Sequence, residues 1–201
     1  ILRGEEVIFI TEIFVNGSLK DFINKVEVIR WKVVKRWARQ ILRGLEYLHT
    51  REVPIIHRNL KCENIFINGH TGELRIGDLG LSTNCRCSDK NMSVLGTPEF
   101  MAPELYEEAY NEKVDIYAFG MCVLEMVTKE NPYNECKNAA QIYKKVTLGI
   151  PPAGLQRIKL QSAIDFIKLC IDHDAANRPS AVQLLEHPFL LEEREEENNE
   201  E

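Results

Sequence analysis

A run of polar residues, "IIHRNLKCENIF" at 55–66, has the spacing of a loop that catalyses phosphoryl transfer, H-R-D-L-x-x-x-N. Asn64 in this run and Asp78 beyond it carry amide and carboxylate oxygens, the hard donors that suit Mg²⁺. Phosphoryl transfer needs metal ions that bridge the phosphates and a group that takes the proton of the attacking hydroxyl. The residues therefore predict a phosphoryl-transfer site with Asn64 and Asp78 as metal ligands.

Asn59 stands where this loop has an aspartate. An amide has the shape of a carboxylate but negligible basicity, and a general base typically contributes about 10²–10⁴-fold to a rate. The chain is then an enzyme with its base removed, a binding module that never needed one, or a chance match. For an enzyme, three origins of Asn59 are open: a natural inactive protein, an engineered variant, or a sequence conflict. The other loop and metal positions are intact, which favours an enzyme with one group neutralised.

Structural roles are the alternative for the two metal ligands: Asp78 would cap the loop before Gly80, and Asn64 would satisfy backbone groups. An ordered set of motifs argues against this alternative. In chain order the motifs are "HRNLKCEN" at 57–64, "DLG" at 78–80, "GTPEFMAPE" at 96–104, "DIYAFG" at 115–120 and "NRPS" at 177–180. Their order and spacing resemble the C-terminal lobe of a eukaryotic protein kinase.

Five longer segments resemble the with-no-lysine (WNK) family of serine/threonine kinases: "KCENIFING", "IGDLGLST", "GTPEFMAPELYEE", "YAFGMCVLEM" and "NAAQIYKKVTLG". The resemblance implies an α+β, protein-kinase-like fold, with a mostly helical C-terminal lobe and residual strands of the N-terminal lobe. Residues 1–15 would hold the end of the N-lobe sheet and the hinge, residues 16–190 the C-lobe, and residues 191–201 an acidic, disordered tail. The Gly-rich phosphate loop and the strand lysine of kinases have no counterpart in the chain.

The resemblance also implies the activity: transfer of the ATP γ-phosphate to protein Ser or Thr, with Mg²⁺. Lys61 would point at the transferred phosphate, and Asn59 would occupy the base position. Because Asn59 lacks basicity and most of the N-lobe is absent, the chain is expected to be inactive as it stands. The alternative is a pseudokinase scaffold or signalling module that binds partners without turnover.

Nucleotide contacts are assigned by the same resemblance. Thr11 would be the gatekeeper, Glu12 to Phe14 would form the hinge whose backbone meets adenine, and Phe66 would form the floor beneath the ring. Ordinary strand and core positions are the alternative, and for Phe66 both roles can hold.

Regulatory positions follow as well. Arg58 would form an ion pair with a phosphate on the activation loop. Ser93 would be the phosphorylation site that activates the kinase, and Ser88 is a weaker candidate. Leu79 and Leu81, in "DLGL", would line an inhibitory chloride site of the complete domain, since backbone N–H groups favour anions.

Four further residues have structural or positioning roles in the kinase pattern. Thr97 would lie in the P+1 segment. Glu104 and Arg178 would form a buried ion pair, and Asp115 would anchor the backbone of the catalytic loop. His57 would brace that loop from within.

Helices are expected to position these loops. Ser18, with Asp21 three residues on, is typical of a capped short helix, and apolar residues at helical spacing predict a long amphipathic helix at 30–49. Residues 112–128 are nearly all apolar and predict a central helix. The remaining predictions are a strand in "EEVIFITEIF", small hairpins within 53–83 around "NGHTGE", a mobile loop at 84–100, and helices near 138–148, 161–171 and 180–186, the last capped by Ser180.

Composition gives no support for nucleic-acid binding and little for zinc binding. The net charge of −6 comes from the end of the chain, since residues 1–190 hold 24 basic and 24 acidic residues, so nothing favours nucleic acid. The terminal Glu-rich segment could be an interaction tail, although a solvated terminus is favoured. The six cysteines are scattered, and the pair Cys85 and Cys87 lacks a second pair at zinc spacing, which favours free thiols in a reducing, cytoplasmic compartment.

No run reaches the length of a membrane span. The resemblance to WNK kinases implies protein substrates as partners, with downstream kinases among the candidates. The chain begins without Met on a strand-like run, so it is expected to be a fragment.

Overall fold

The structure, a computed structural model, describes residues 2–3, 6–7, 13–84, 96–107 and 110–191. The helices are α1 (Leu19–Lys25), α2 (Trp31–His49), α3 (Lys113–Thr128), α4 (Ala139–Thr147), α5 (Gln161–Cys170), α6 (Ala181–Leu185) and α7 (Pro188–Leu191). The strands are β1 (Leu2–Arg3), β2 (Glu6–Val7), β3 (Ile55–Ile56), β4 (Ile65–Asn68), β5 (Glu73–Ile76) and β6 (Thr83–Asn84). Helices dominate this α+β chain, as the sequence predicted.

Each predicted helix is confirmed. For every predicted helix after α1, both ends lie within one residue of the expected positions. Capping boxes fix the starts of two helices: Ser180 accepts from the backbone N–H of Gln183 at α6, and Ser18 accepts from that of Asp21 at α1. The strand predicted in "EEVIFITEIF" is represented by β2, and most of the rest of that run lies outside the described residues. α7 is a four-residue helix that the sequence did not predict.

Helix α3 forms the centre of the fold. Every residue from Val114 to Met126 is buried, so the helix has core on all sides. Helix α5 packs against it, with Phe119 and Phe166 in an edge-to-face contact at 6.1 Å between ring centroids. Helix α2 also contacts α3 and buries an apolar stripe that includes Val34, Ile41 and Leu45.

Short antiparallel strand pairs bring the polar loops together. β4 and β5 form the hairpin predicted around "NGHTGE", with Ile65 opposite Ile76. β3 pairs with β6, placing Ile56 opposite Thr83. The loop after β3 and the loop before β6 therefore lie side by side.

Within the described ranges, no helix has the length and apolar character needed to cross a bilayer.

Candidate active site

The backbone of the 57–64 loop is fixed by one buried carboxylate at the start of α3. Asp115 Oδ2 accepts a hydrogen bond from the backbone N–H of His57 at 2.8 Å, and Oδ1 accepts one from that of Arg58 at 2.9 Å. Nε2 of His49, at the end of α2, lies 2.8 Å from the same Oδ2. Arg58 has a φ of 65°, a left-handed conformation that costs a non-glycine residue about 1 kcal/mol or more. The bonds to Asp115 hold the loop in this conformation.

His57 joins the two polar loops from the inside. Its side chain is fully buried, and Nε2 donates to the carbonyl of Gly77 at 2.8 Å. Nδ1 accepts from the backbone N–H of Asn59 at 3.3 Å. The backbone N–H of Gly77 in turn donates to the carbonyl of Asn64 at 2.8 Å. These bonds place Asp78, which follows Gly77, directly beside the loop.

Asn59 contacts both residues that the sequence selects as metal ligands. Its Nδ2 donates to Asp78 Oδ2 at 3.1 Å, and its carbonyl accepts from Asn64 Nδ2 at 2.8 Å. The second bond gives the backbone carbonyl of Asn59 a donor, as the structural alternative expects. Because this bond uses Nδ2 of Asn64, the side-chain oxygen Oδ1 is the atom left to approach a cation. Asp78 makes no capping hydrogen bond with its side chain, and its carboxylate is exposed. A carboxylate and an amide oxygen held around Asn59 fit a hard cation such as Mg²⁺.

Lys61 extends away from this group toward the segment that follows the activation loop. Its Nζ donates to Oγ1 of Thr97 at 2.9 Å. The structure thus brings a catalytic-loop cation to the residue predicted in the P+1 segment, where an acceptor peptide of a kinase would lie.

Among the described residues, Arg58 makes two hydrogen bonds with its guanidinium group. Nε donates to the carbonyl of Leu81 at 2.5 Å, and Nη1 donates to the hydroxyl of Tyr110 at 3.1 Å. Sequence reasoning missed Tyr110, which carries no motif of its own. Leu79, two residues before Leu81, has 54% of its surface exposed.

Phe66 lies on β4 beside Phe14, with 6.2 Å between the ring centroids. Gly77 passes so close to this ring that a Cβ there would lie 2.5 Å from Cε2 of Phe66. A side chain at position 77 would therefore require the Phe66 ring to move. Thr11, Glu12, Ser88 and Ser93 lie outside the described residues, as do Cys85 and Cys87.

An ion pair ties the segment after Thr97 to the far end of the domain. Nη1 and Nη2 of Arg178 donate to the two carboxylate oxygens of Glu104 at 2.5 and 2.9 Å. The buried guanidinium also donates to the carbonyls of Asp172 at 2.7 Å and Lys113 at 3.1 Å. Such a two-pronged contact is among the stronger ion-pair geometries.

A second buried carboxylate lies under the catalytic loop, and the sequence analysis did not select it. Glu125 of α3 is fully buried and pairs with Lys20 of α1, whose Nζ also donates to Asn131 Oδ1 at 2.5 Å. Burial raises the pKa of the Glu125 carboxyl group. A glutamate within the otherwise apolar "VLEM" run was the signal that could have identified it.

Comparison with known proteins identifies relatives of the chain. The protein kinase domain family matches residues 1–190. Serine/threonine-protein kinase WNK8 of Arabidopsis thaliana is 55% identical over 188 residues, which are 94% of this chain and 33% of the relative. WNK3 of Mus musculus is 52% identical over 193 residues, 96% of this chain and 11% of the relative. WNK4 of Homo sapiens is 51% identical over 195 residues, 96% of this chain and 16% of the relative. The chain spans a third or less of the length of these proteins.

Proposed function

Because the chain belongs to the WNK family of protein kinases, we propose that it carries the catalytic loop of an ATP-dependent serine/threonine kinase whose activity is impaired by Asn59. The observation that supports this most is the hydrogen-bonded group formed by Asn59, Asn64 and Asp78 on a loop fixed by Asp115.

The family implies the use of ATP and Mg²⁺, and the donor set fits the metal. Asp78 and Asn64 would hold Mg²⁺, which supplies charge neutralisation on the phosphates when bound. The side chain of Lys61 reaches from the loop to Thr97, and it would meet the transferred phosphoryl group near the acceptor hydroxyl. Asn59 would orient that hydroxyl without taking its proton, so proton removal is the step that this chain lacks.

The residues predicted at the hinge and gatekeeper, Thr11 and Glu12 to Phe14, are proposed as the adenine contacts, with Phe66 beneath the ring. An inhibitory chloride near Leu79 and Leu81 is proposed only for the complete domain. The exposure of Leu79 supports this restriction, because the wall that would cover it has to come from the other lobe. Protein substrates follow from the family, whereas downstream kinases as those substrates and a cytoplasmic location stay predictions.

The test uses a longer protein, made by joining a kinase nucleotide-binding lobe to this chain. We expect slow transfer of labelled γ-phosphate from Mg·ATP to Ser and Thr peptides, with none to a matched Tyr peptide. Asp78→Ala should lower both the transfer rate and Mg²⁺-dependent ATP binding by at least about tenfold, because it removes the metal carboxylate. Asp165→Ala is the control, since Asp165 is an exposed residue of α5 that bonds only to Gln161 among the described residues.

Transfer that survives Asp78→Ala would contradict the proposal. Complete inactivity together with retained binding of a protein partner would favour the scaffold, the second candidate function.

Activation by phosphorylation at Ser93 is part of the proposal, and the position of Arg58 supports it. The guanidinium is held by Leu81 and Tyr110 at the edge of the catalytic loop, where a phosphoserine could pair with it. In the longer protein carrying Asn59→Asp, Ser93→Ala should lose at least about nine-tenths of the activity. Ser88→Ala should lose little. Equal peptide phosphorylation with and without Ser93→Ala would refute this assignment.

A further inference from the structure

From Lys32 to Arg43, all the charged side chains on one face of α2 are positive, and Glu46, one turn after Arg43, is the first acidic residue on that face. Between Val28 and Leu45 the chain holds six basic residues and no acidic one. Four of them recur at helical spacing on the outer side of the helix and define what we call the basic stripe: Lys32, Arg36, Arg39 and Arg43. Between described residues, none of the four forms an ion pair with a carboxylate, and the guanidinium groups of Arg36 and Arg39 donate to backbone carbonyls. The stripe is therefore a local field of positive sign, and the rest of residues 1–190 holds more acidic than basic residues.

Helix α7 brings the chain to this stripe. The rings of Trp31 and Phe189 meet edge to face at 6.0 Å, and the Nζ of Lys35 lies 4.9 Å from the centroid of the Phe189 ring. Arg39, a member of the stripe, donates to the carbonyl of Leu190 through Nη1. The chain beyond Leu191 consequently starts at the edge of the stripe.

The ten residues that follow, 192–201, hold seven Glu and one Arg. Ten extended residues reach about 33 Å, and the 19 residues of α2 extend about 28 Å. The acidic segment is thus long enough to cover the whole stripe. We propose that residues 192–201 dock along the basic stripe of α2 as an intramolecular cover.

Many weak contacts would hold this cover. Single exposed ion pairs contribute little, but a segment tethered at Leu191 has a high effective concentration near the stripe. The attraction is screened by salt, since the Debye length falls to about 3 Å at 1 M. While the cover is bound, the stripe is closed to other polyanions.

A charge-swap cycle on the whole chain tests the proposal. The stripe variant carries Lys32→Glu, Arg36→Glu and Arg43→Glu, which leaves the Arg39 bond to Leu190 intact. The tail variant carries Glu195→Lys, Glu196→Lys and Glu197→Lys. Each should lower Tm by about 2–6 °C in 20 mM NaCl, and the combination should recover at least half of the summed loss. The recovery should vanish in 1 M NaCl.

A matched control reverses three exposed lysines elsewhere, Lys144, Lys159 and Lys168, and should give no recovery with the tail variant. Additive losses in the main cycle, or recovery that persists in 1 M NaCl, would overturn the proposal. Heparin serves as a probe for an external occupant. If the tail variant keeps the Tm of the parent while the stripe variant loses heparin binding, the stripe serves a separate polyanion and the proposal is wrong.

Discussion

Replacing Asn59 by Asp in the longer protein is expected to raise phosphoryl transfer to Ser and Thr peptides by about 10²–10⁴-fold. The amide of Asn59 donates to Asp78 and cannot accept the proton of an acceptor hydroxyl, whereas a carboxylate at the same place can. The gain should appear in kcat, because a base acts in the transition state. Affinity for ATP should hardly change, since the group faces the acceptor. The measurement is transfer of labelled phosphate at saturating Mg·ATP.

The control adds Asp78→Ala to Asn59→Asp, and the restored activity should disappear with the metal carboxylate. If the protein is equally inert with Asn and with Asp at position 59 while a partner still binds, the conclusion becomes a scaffold function and not a kinase. Equal activity of the two proteins would show that position 59 does not hold the base.

Asp115→Ala is expected to lower the free energy of unfolding of this chain by about 3–5 kcal/mol. The change leaves the buried backbone N–H groups of His57 and Arg58 without their acceptor and removes the contact to His49. It also removes the restraint on the left-handed conformation of Arg58. Urea unfolding followed by circular dichroism measures the loss.

Asp165→Ala is again the matched control, with an expected change below about 0.5 kcal/mol because the residue is exposed. The loss in free energy of unfolding for Asp115→Asn should fall between those for Asp115→Ala and Asp165→Ala, since the amide keeps one acceptor oxygen for a backbone N–H. A loss below about 1 kcal/mol for Asp115→Ala would mean that the loop is held by other contacts.

Local patterns made the helices predictable. The apolar stripe of α2, the apolar run of α3 and the cap at Ser180 each involve residues close together in the sequence. Composition and spacing are therefore enough to predict these helices. α7 has only four residues, too few for a period to be recognised. Its position depends on packing against α2.

Long-range contacts explain what the sequence did not provide. Arg58 and Tyr110 are 52 residues apart, and Lys20 and Glu125 are 105 apart. Neither pair belongs to a motif, whereas the kinase motifs did link Glu104 with Arg178 across 74 residues. The ordered motifs did select Asn59, Asn64, Asp78 and Lys61, which the structure brings into one hydrogen-bonded region with Thr97, while their catalytic roles stay predictions.

The close approach of Gly77 to Phe66 also limits how this part of the chain can evolve. A side chain at position 77 would overlap the ring, whose Cε2 and Cδ2 would lie 2.5 and 2.9 Å from the new Cβ. Alanine at position 77 is therefore accommodated best where position 66 has already lost its aromatic ring, whereas loss of the ring with glycine still at position 77 leaves a gap beside Phe14. The two positions should vary as a coupled pair among homologues, with the ring lost before the glycine is replaced.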